Sequence, residues 1–262
     1  METLNKEKNT LQTVDRALAL ISLFATAAKG LSVLDICKQM GITRNTAYAM
    51  LNSLVAEDYI ERDEVSGRYF IGCRFYERAQ CYLNRFPIIN IAERHMTRFT
   101  REYKPYQVNL NVYKSPMRTV ILLVHYSEST PRVSSSFSTW AYASASGKTL
   151  LAFMPENKLT HDLEGCDFKP FTPHTVKNRE ELLAQLEDIR KKDYGIELEE
   201  ISHFRGCIAA PVRDMSGMAT ATVSFPMDAL SIRKNELTLA REITYLAGEI
   251  STELGYSHGL YR

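Results

Sequence analysis

The sequence lacks the features of several classes of protein. No apolar run reaches the roughly 20 residues that a transmembrane helix needs, and the opening METLNKEKNT has no apolar core of a signal peptide. The five cysteines include no CxxC pair, and neither they nor the six histidines show metal-ligand spacing. These absences predict a cytoplasmic protein in a reducing compartment, with no membrane span, disulfide scaffold or metal site.

An excess of positive charge is also missing. The net charge is +1 at pH 7, and residues 1–80 hold ten basic and ten acidic side chains. Bulk charge therefore gives no argument for nucleic-acid binding. Any contact with DNA must use local cations, and its affinity should come partly from two copies that bind together.

The motifs of nucleotide binding and catalysis are incomplete. Gly147-Lys148-Thr149 resembles the end of a phosphate-binding loop, but Tyr142 occupies the position of the first glycine and no apolar strand leads in. Ser146 fails as a nucleophile elbow, because Ser144 and Lys148 stand where that motif needs glycine. We therefore expect no enzyme activity, no catalytic residue and no cofactor.

Residues 31–72 carry the clearest local pattern. Ser32 begins a short helix with an apolar face, Gly41 ends it, and Thr43 caps a second helix. Strand-forming residues on both sides of a turn that ends in Gly67 then predict a β-hairpin. Two helices joined by a tight turn and followed by a hairpin predict a winged helix-turn-helix.

The second helix of this pattern carries the residues expected to read DNA. One face holds Ala47, Leu51 and Leu54 at the spacing of a buried helical stripe. The opposite face is polar with little charge, which suits base edges in a major groove, and the wing adds two arginines for phosphates. The predicted DNA-binding residues are Thr43, Arg44, Asn45, Thr46, Tyr48, Asn52, Arg62 and Arg68. The alternative is a helical hairpin that serves as a protein–protein module.

The rest of the chain predicts a second domain, since a single core rarely exceeds ~200 residues. Alternating patterns predict hairpins over residues 108–125 and 206–225, and the Ser- and Thr-rich residues 126–140 predict an irregular loop between other elements. Gly195 is predicted to end a helix, and Leu237 to begin the closing one. Strands flanked by helices predict an α+β domain with an antiparallel sheet.

The ordered set of segments resembles the IclR family of transcriptional regulators over nearly the whole chain. The segments are TVDRALALISLF, LSVLDICKQMGITRNTAYAMLNSL and YIERDEVSGRYFIG, then SASGKTLLAF, TPHTVKNREEL, DYGIELEE and CIAAPVRDMSG. The resemblance implies a winged helix-turn-helix DNA-binding domain at residues 1–72, a linker helix at 73–86 and a GAF-like effector-binding domain at 87–262. It also implies homodimers or tetramers on palindromic operators of double-stranded DNA, controlled by a small metabolite.

The resemblance also implies where the effector binds, because the family's pocket lies between the sheet and the SGK and CIAAPV segments. Carried over by position, it implies contacts at Ala145, Ser146, Gly147, Glu197, Cys207 and Ser224. Backbone N–H groups at the start of the SGK helix suit a carboxylate, because helix N-termini attract anions. The predicted effector is therefore a small organic acid.

Two departures from the family pattern bear on specificity. Phe204-Arg205-Gly206 stands where Gly-Val-Arg is usual, which favours an aromatic or apolar acid whose carboxylate meets Arg205; alternatively, both side chains face solvent or another subunit. Ala49 replaces the usual arginine of the recognition helix, and its methyl group could contact a thymine. A second function stays open: a GAF-like thiol redox sensor or small-molecule enzyme that uses Cys207 on a DNA-binding module.

Overall fold

The structure, a computed structural model, divides into two compact units, Met1–Phe86 and Pro87–Arg262. No helix in the part of the chain that it describes is long and apolar enough to cross a bilayer. The described residues are 11–24, 27–83, 87–103, 107–114, 116–126, 132–133 and 138–257.

The first unit is a helical domain that carries a short hairpin. Strands β1 and β2 pair antiparallel, and Leu31 adds a bridge to Tyr69. The core is formed by side chains from every helix of the helix-turn-helix and from β1, including Leu20, Ile36 and Leu51. The elements are α1 (Gln12–Phe24), α2 (Val33–Met40), α3 (Arg44–Ala56), β1 (Ile60–Arg62), β2 (Tyr69–Ile71) and α4 (Arg74–Leu83).

Local hydrogen bonds set the boundaries of α2 and α3. The Ser32 hydroxyl accepts a hydrogen bond from the Asp35 N–H at 3.2 Å, and Asp35 accepts one from the Ser32 N–H at 2.9 Å, which together form a capping box. Gly41 ends α2 with a φ of 65°, and Thr43 caps α3 by accepting from the Thr46 N–H at 3.3 Å. The predicted helix-turn-helix is therefore confirmed.

Helix α4 packs against the end of α3 and the wing. The Arg74 guanidinium donates to the Glu57 carbonyl at 3.1 Å, and the Phe75 ring meets the Tyr59 ring edge-on with centroids 5.0 Å apart. These contacts hold α4 within the first unit. A linker role for residues 73–86 stays a prediction, and the last three of them lie outside the described residues.

The second unit is an α+β domain, as predicted. Its helices are α5 (Ile88–Glu102), α6 (Ala145–Ala152), α7 (Glu156–Leu163), α8 (Arg179–Lys192) and α9 (Ala229–Glu253). Its strands are β3 (Gln107–Lys114), β4 (Arg118–Tyr126), β5 (Arg132–Val133), β6 (Ser138–Trp140), β7 (Gly195–Leu198), β8 (Arg205–Arg213) and β9 (Ala219–Asp228). They form one antiparallel sheet in the order β5-β4-β3-β9-β8-β7, with β6 also paired to β4.

Different helices lie on the two faces of this sheet. Phe225 of β9 stacks on Phe99 of α5 with centroids 5.4 Å apart, and a Cβ at Gly206 would lie 2.9 Å from Ile232 of α9. A Cβ at Gly195 would instead lie 2.4 Å from the Thr149 hydroxyl of α6. Helices α5 and α9 therefore pack on one face, and α6 packs on the other, which is called the α6 face below.

Gly195 does not end a helix, so that prediction was wrong. Helix α8 ends at Asp193, which adopts the left-handed conformation with a φ of 63°, a conformation that Asp tolerates better than most residues. Gly195 is the first residue of β7. It is needed there for close approach, because a side chain would collide with α6.

Two other element predictions were also corrected. The closing helix α9 begins at Ala229, before the predicted start at Leu237, because Asp228 caps it by accepting from the Ser231 N–H at 2.8 Å. Asn235 has non-helical backbone angles and kinks α9 two residues before Leu237, so the predicted helix corresponds to the segment after the kink. The predicted irregular loop over 126–140 includes strands β5 and β6. The other residues of that loop, apart from Tyr126 at the end of β4, lie outside the described part of the chain.

Candidate functional site

The exposed face of α3 carries most of the predicted DNA contacts. Ala47 and Leu51 are fully buried and fix the helix to the core, so the opposite face points outward. Thr43 and Thr46 share a hydrogen bond between their hydroxyls at 3.0 Å, which orders the first turn. The residues presented to solvent are Arg44, Asn45, Tyr48, Ala49 and Asn52. An exposed helix with amides, a hydroxyl and a cation near its N-terminal end has the chemistry that reads a major groove.

The two wing arginines differ in what they contact. Arg62 is exposed, and its guanidinium lies 5.9 Å from the centroid of the Tyr69 ring. Arg68 instead donates to the Lys29 carbonyl at 3.0 Å, to the Gly30 carbonyl at 2.9 Å and to the Asp35 carboxylate at 3.1 Å. Arg68 therefore joins the wing to the start of α2, and its predicted phosphate contact must compete with these bonds.

The predicted effector residues of the strands lie on the α6 face. Glu197 pairs with Cys207 across β7 and β8, and Ala209 pairs with Ser224, which in turn pairs with Asn109 of β3. Because side chains alternate along a strand, these residues share the face on which Gly195 meets α6. They form two adjacent rungs of one surface.

Glu197 is a buried carboxyl whose charge is only partly compensated. Its Oε1 accepts hydrogen bonds from the Glu200 N–H at 2.6 Å and the Ile201 N–H at 3.4 Å. Burial raises the pKa of Glu197 to about 7, and the nearby charge of Glu200 adds to the effect. The group can therefore change protonation near neutral pH, and its Oε2 has no hydrogen bond within the described residues.

Lys148 explains the Gly-Lys-Thr segment without a nucleotide. Its side chain is fully buried, and its ammonium group donates to Gln185 of α8 at 2.8 Å and forms an ion pair with Glu200. The lysine thus joins α6, α8 and the turn after β7. This pair lies beside Glu197, and the Lys148 charge lowers the pKa of that carboxyl in opposition to burial.

The N-terminus of α6 offers fewer free donors than predicted. Ser144 caps the helix, and its hydroxyl accepts from the Gly147 N–H at 3.1 Å, so that N–H is already used. The N–H groups of Ala145 and Ser146 make no hydrogen bond within the described residues. A Cβ at Gly147 would lie 2.3 Å from the Ala141 backbone, so Gly147 allows this helix to start against the preceding turn.

The Cys207 thiol has the opposite character from a reactive cysteine. Burial, together with the charge of Glu197, raises its pKa to about 12. A thiol of this kind holds almost no thiolate at neutral pH, whereas redox sensors need a lowered pKa. The pKa of Cys166 is also raised by burial. These properties argue against the thiol-sensor alternative.

Phe204 and Arg205, at the start of β8, lie in different surroundings. Phe204 has a φ of 63° and is 80% exposed, so its ring lies in solvent in this unit. Arg205 is exposed and stands two residues before Cys207, so it shares the α6 face. Its guanidinium makes no hydrogen bond within the described residues, and it stays a candidate for a carboxylate.

Three polar residues on β3 were missed in the sequence. Gln107, Asn109 and Asn111 alternate with buried Val108, Leu110 and Val112, so they lie on the α6 face beside Ser224. The Asn111 amide donates to the Ser224 hydroxyl at 3.0 Å. The signal was present as amides at every second residue of QVNLNV, but the partner strand was unknown.

Two family models match the chain. The IclR helix-turn-helix domain matches residues 13–64, and the model described as "Bacterial transcriptional regulator IclR C-terminal" matches residues 80–252. The first range contains α1 to α3 and β1, and the second contains the α+β domain. Among the described residues, no group of three or more His, Cys, Asp or Glu is placed to hold a metal ion.

Individual proteins are similar over nearly the same span. The HTH-type transcriptional regulator XynR of Escherichia coli (strain K12) is 28% identical over 253 residues, covering 94% of this chain and 98% of that protein. The crystal structure of Thermotoga maritima IclR has 27% identity and a TM-score of 0.79, covering 93% and 99% of the two chains. An IclR homolog of Microbacterium hydrocarbonoxydans complexed with 4-hydroxybenzoate has 20% identity and a TM-score of 0.75, covering 94% and 100%. The chain therefore belongs to the IclR family: it is a transcriptional regulator with a helix-turn-helix domain and a C-terminal effector-binding domain.

Proposed function

We propose that a small organic acid binds on the α6 face and controls binding of the chain to a palindromic operator. The observation that carries the proposal is the convergence of Glu197, Cys207 and Ser224 on one face of the sheet, beside the N-terminus of α6. The unpaired N–H groups of Ala145 and Ser146 and the free guanidinium of Arg205 supply donors for a carboxylate. The Microbacterium homolog, whose structure holds 4-hydroxybenzoate, supports an acid as the ligand class.

The proposed reader is the exposed face of α3 together with the wing. Asn45 and Asn52 would contact base edges, Arg44 and Arg62 would contact phosphates, and the Ala49 methyl group would meet a thymine. Thr43, Thr46 and Tyr48 would complete the contact. Arg68 would reach a phosphate only by giving up its hydrogen bonds within the domain. Because these residues provide few cations, we propose that a homodimer or tetramer binds two half-sites at once.

The proposed coupling is a population shift. Effector binding would favour one arrangement of the second unit, α4 would transmit it, and the separation of two recognition helices would change. This makes the chain a ligand-responsive regulator that works in the cytoplasm, where the DNA is, and not an enzyme. No catalytic residue, cofactor or metal enters the proposal.

The test is operator binding measured with and without acids. Double-stranded DNA would be selected from a randomised library with the full-length protein, and its affinity measured by fluorescence anisotropy. We expect at least one carboxylic acid to change the operator affinity by about 5- to 150-fold, the usual range of allosteric coupling. If no acid in a broad panel changes it, the proposed control by an organic acid is wrong.

A matched pair of variants assigns the response to the α6 face. Ser224→Ala removes a hydroxyl on the proposed contact surface, whereas Thr100→Val removes a buried hydroxyl of α5 on the opposite side of the sheet. We expect Ser224→Ala to weaken the response to acid and Thr100→Val to preserve it. An equal loss in both would place the effector elsewhere.

A further inference from the structure

The free edge of strand β7 lies beside helix α8, and a groove runs between them that the proposed function does not use. In the described part of the chain, β7 is the last strand of the sheet and pairs with β8 alone. The groove has a volume of about 540 Å³ and is lined by residues of both elements. A groove of this size is large enough to hold part of a peptide.

Two residues of β7 direct their backbone groups away from the sheet. The Glu199 N–H donates to the Arg205 carbonyl at 2.8 Å, so these two residues form a hydrogen-bonded pair. In an antiparallel ladder, such pairs alternate with residues whose N–H and C=O groups point away from the partner strand. The register therefore turns the backbone groups of Ile196 and Leu198 outward, and they make no hydrogen bond within the described residues.

The same edge of the sheet is closed farther along. Strand β8 continues past the end of β7 as far as Arg213. Pro211 has no N–H group to offer there, and the Arg213 N–H donates to the Ser251 hydroxyl of α9 at 2.9 Å. Prolines and coverage by other elements prevent an edge from pairing with another chain. Strand β7, all of whose residues the structure describes, has neither, so its edge is open to an added strand.

The walls of the groove suit an extended peptide. Ile189 of α8 and Ile196 and Leu198 of β7 line it with apolar surface. The two strand residues are half-buried, which leaves apolar area for a partner to cover. Because side chains alternate along a strand, every second residue of an added strand would pack on this surface.

The charge of the groove selects the sign of the partner. Glu181, Asp188 and Glu200 line the groove together with Lys192. Lys192 pairs with Asp188 at 2.8 Å, and Glu200 pairs with the buried Lys148, whereas Glu181 forms no ion pair within the described residues. The excess of carboxylates would repel a second copy of the same groove and attract a basic segment.

We propose that β7 and α8 form a docking site for an extended segment of a partner protein in which apolar and basic residues alternate. The segment joins the sheet as a strand beside β7 and hydrogen-bonds to the backbone of Ile196 and Leu198. Its apolar side chains pack in the groove, and its Lys or Arg side chains meet Glu181 and Asp188. Glu197 points to the opposite side of β7 from its two neighbours, so this inference goes beyond control by an acid and does not depend on it.

Model peptides test the docking site directly. Fluorescence anisotropy with the full-length protein at ~0.15 M salt would use labelled peptides of about eight residues, a usual strand length. One peptide alternates Lys and Val, the second has the same sequence with every backbone nitrogen methylated, and the third alternates Glu and Val. We expect the Lys-Val peptide to bind at least about tenfold tighter than either of the others, because it alone offers both backbone donors and positive charge. Equal binding of the methylated or the Glu-Val peptide would overturn the proposal.

Ile196→Pro tests the edge of β7. The substitution removes an outward N–H group and breaks no hydrogen bond to β8, and proline is tolerated on an edge of this kind. We expect the affinity for the Lys-Val peptide to fall by about tenfold, with a melting curve that shows a folded protein. Unchanged affinity in the folded variant would overturn the proposal. So would a smaller species than the wild type in size-exclusion chromatography, because a second copy of the chain would then occupy the edge.

A matched pair of double variants tests the charge of the groove. Glu181→Gln with Asp188→Asn removes two carboxylates that line the groove, whereas Glu180→Gln with Glu187→Gln removes two exposed carboxylates of α8 that do not. We expect the first pair to weaken binding of the Lys-Val peptide by about three- to tenfold and the second by less than about twofold. Equal losses would mean that the peptide responds only to the net charge of α8, and would remove the groove as its binding site.

Discussion

Glu197 links the stability of the second unit to pH. Its pKa in the folded protein is about 7, above the ordinary value of 4.5, because burial disfavours the charged form. Between these two values the folded state holds a proton that the unfolded state releases. The contribution of Glu197 to stability is therefore largest below pH ~4.5 and is lost as the pH rises through 7.

Glu197→Gln removes this titration and keeps an acceptor for the Glu200 N–H. Between pH 5 and 7.5, the wild type should lose up to about 2 kcal/mol more of its free energy of unfolding than the variant. Chemical unfolding at each pH measures the difference. Glu187→Gln on the exposed surface of α8 is the control, and parallel pH profiles for wild type and Glu197→Gln would contradict the expectation.

Arg68 and Arg62 test two different uses of an arginine in the wing. Arg68→Ala removes bonds to the Lys29 and Gly30 carbonyls, so it should destabilise the first unit by about 1 kcal/mol and speed hydrogen exchange in the wing. Arg62→Ala removes an exposed cation and should leave exchange rates near those of the wild type. Mass-spectrometric hydrogen exchange on the full chain measures both, and unchanged exchange in Arg68→Ala would show that its bonds carry little stability.

At the scale of elements, Arg62 and Asn45 test how α3 and the wing bind DNA. Arg62→Ala should weaken binding to every sequence and reduce the salt slope by about 1, because it would remove one proposed phosphate contact. Asn45→Ala should instead relax the preference at one base position and keep the salt slope. Anisotropy titrations on the selected operator and its single-base variants distinguish them, and a uniform loss in Asn45→Ala would remove it as a base reader.

Helix α6 starts where it does because of one glycine, and α9 provides the comparison. Gly147→Ala would bring a methyl group within 2.3 Å of the Ala141 backbone, whereas Gly248 has nothing within 4 Å of its Cβ position. We expect Gly147→Ala to destabilise the protein by about 3 kcal/mol and Gly248→Ala to stabilise it by roughly 0.5–1 kcal/mol. Thermal unfolding gives both values, and a neutral Gly147→Ala would mean that α6 can shift at no cost.

The elements that could be predicted from sequence are those whose causes are local. Ser32, Gly41 and Thr43 set helix boundaries through partners within five residues, so their signals are complete in the sequence. Gly195 was misread because its reason is a contact with α6, far away in the chain. The bonds of Arg68 to the turn before α2 have the same origin. Contacts that depend on long-range register leave no local pattern.

In the candidate site too, part of the arrangement could be predicted from sequence and part depends on long-range contacts. The family resemblance gave Glu197, Cys207 and Ser224, but their common face follows only from the order of β7, β8 and β9 in the sheet. Asn109 lies on the α6 face beside Ser224 because β3 pairs with β9, and alternation alone cannot identify that partner 115 residues away. The charge state of Cys207 likewise depends on burial in the folded domain.

At the scale of the whole molecule, the absence of excess charge leads us to expect that assembly contributes to DNA recognition. The chain carries a net charge of +1, and the exposed face of α3 contributes one cation, Arg44. A single reader of this kind gains little from counterion release. Two readers joined in one homodimer would bind with a higher overall affinity, because once the first reader is bound the second binds its half-site at a high effective concentration.

Comparing the affinity of the protein for the selected operator with its affinity for a half-site tests whether two readers bind together. The full palindrome should bind at least about 100-fold tighter than a half-site embedded in DNA of the same length, with a salt slope close to twice as steep because twice as many phosphates are contacted. Size-exclusion chromatography at the titration concentration would establish that the protein is a dimer or larger. A half-site that binds within tenfold of the full site, with an equal salt slope, would mean that one reader suffices and that the second unit is not needed to pair them.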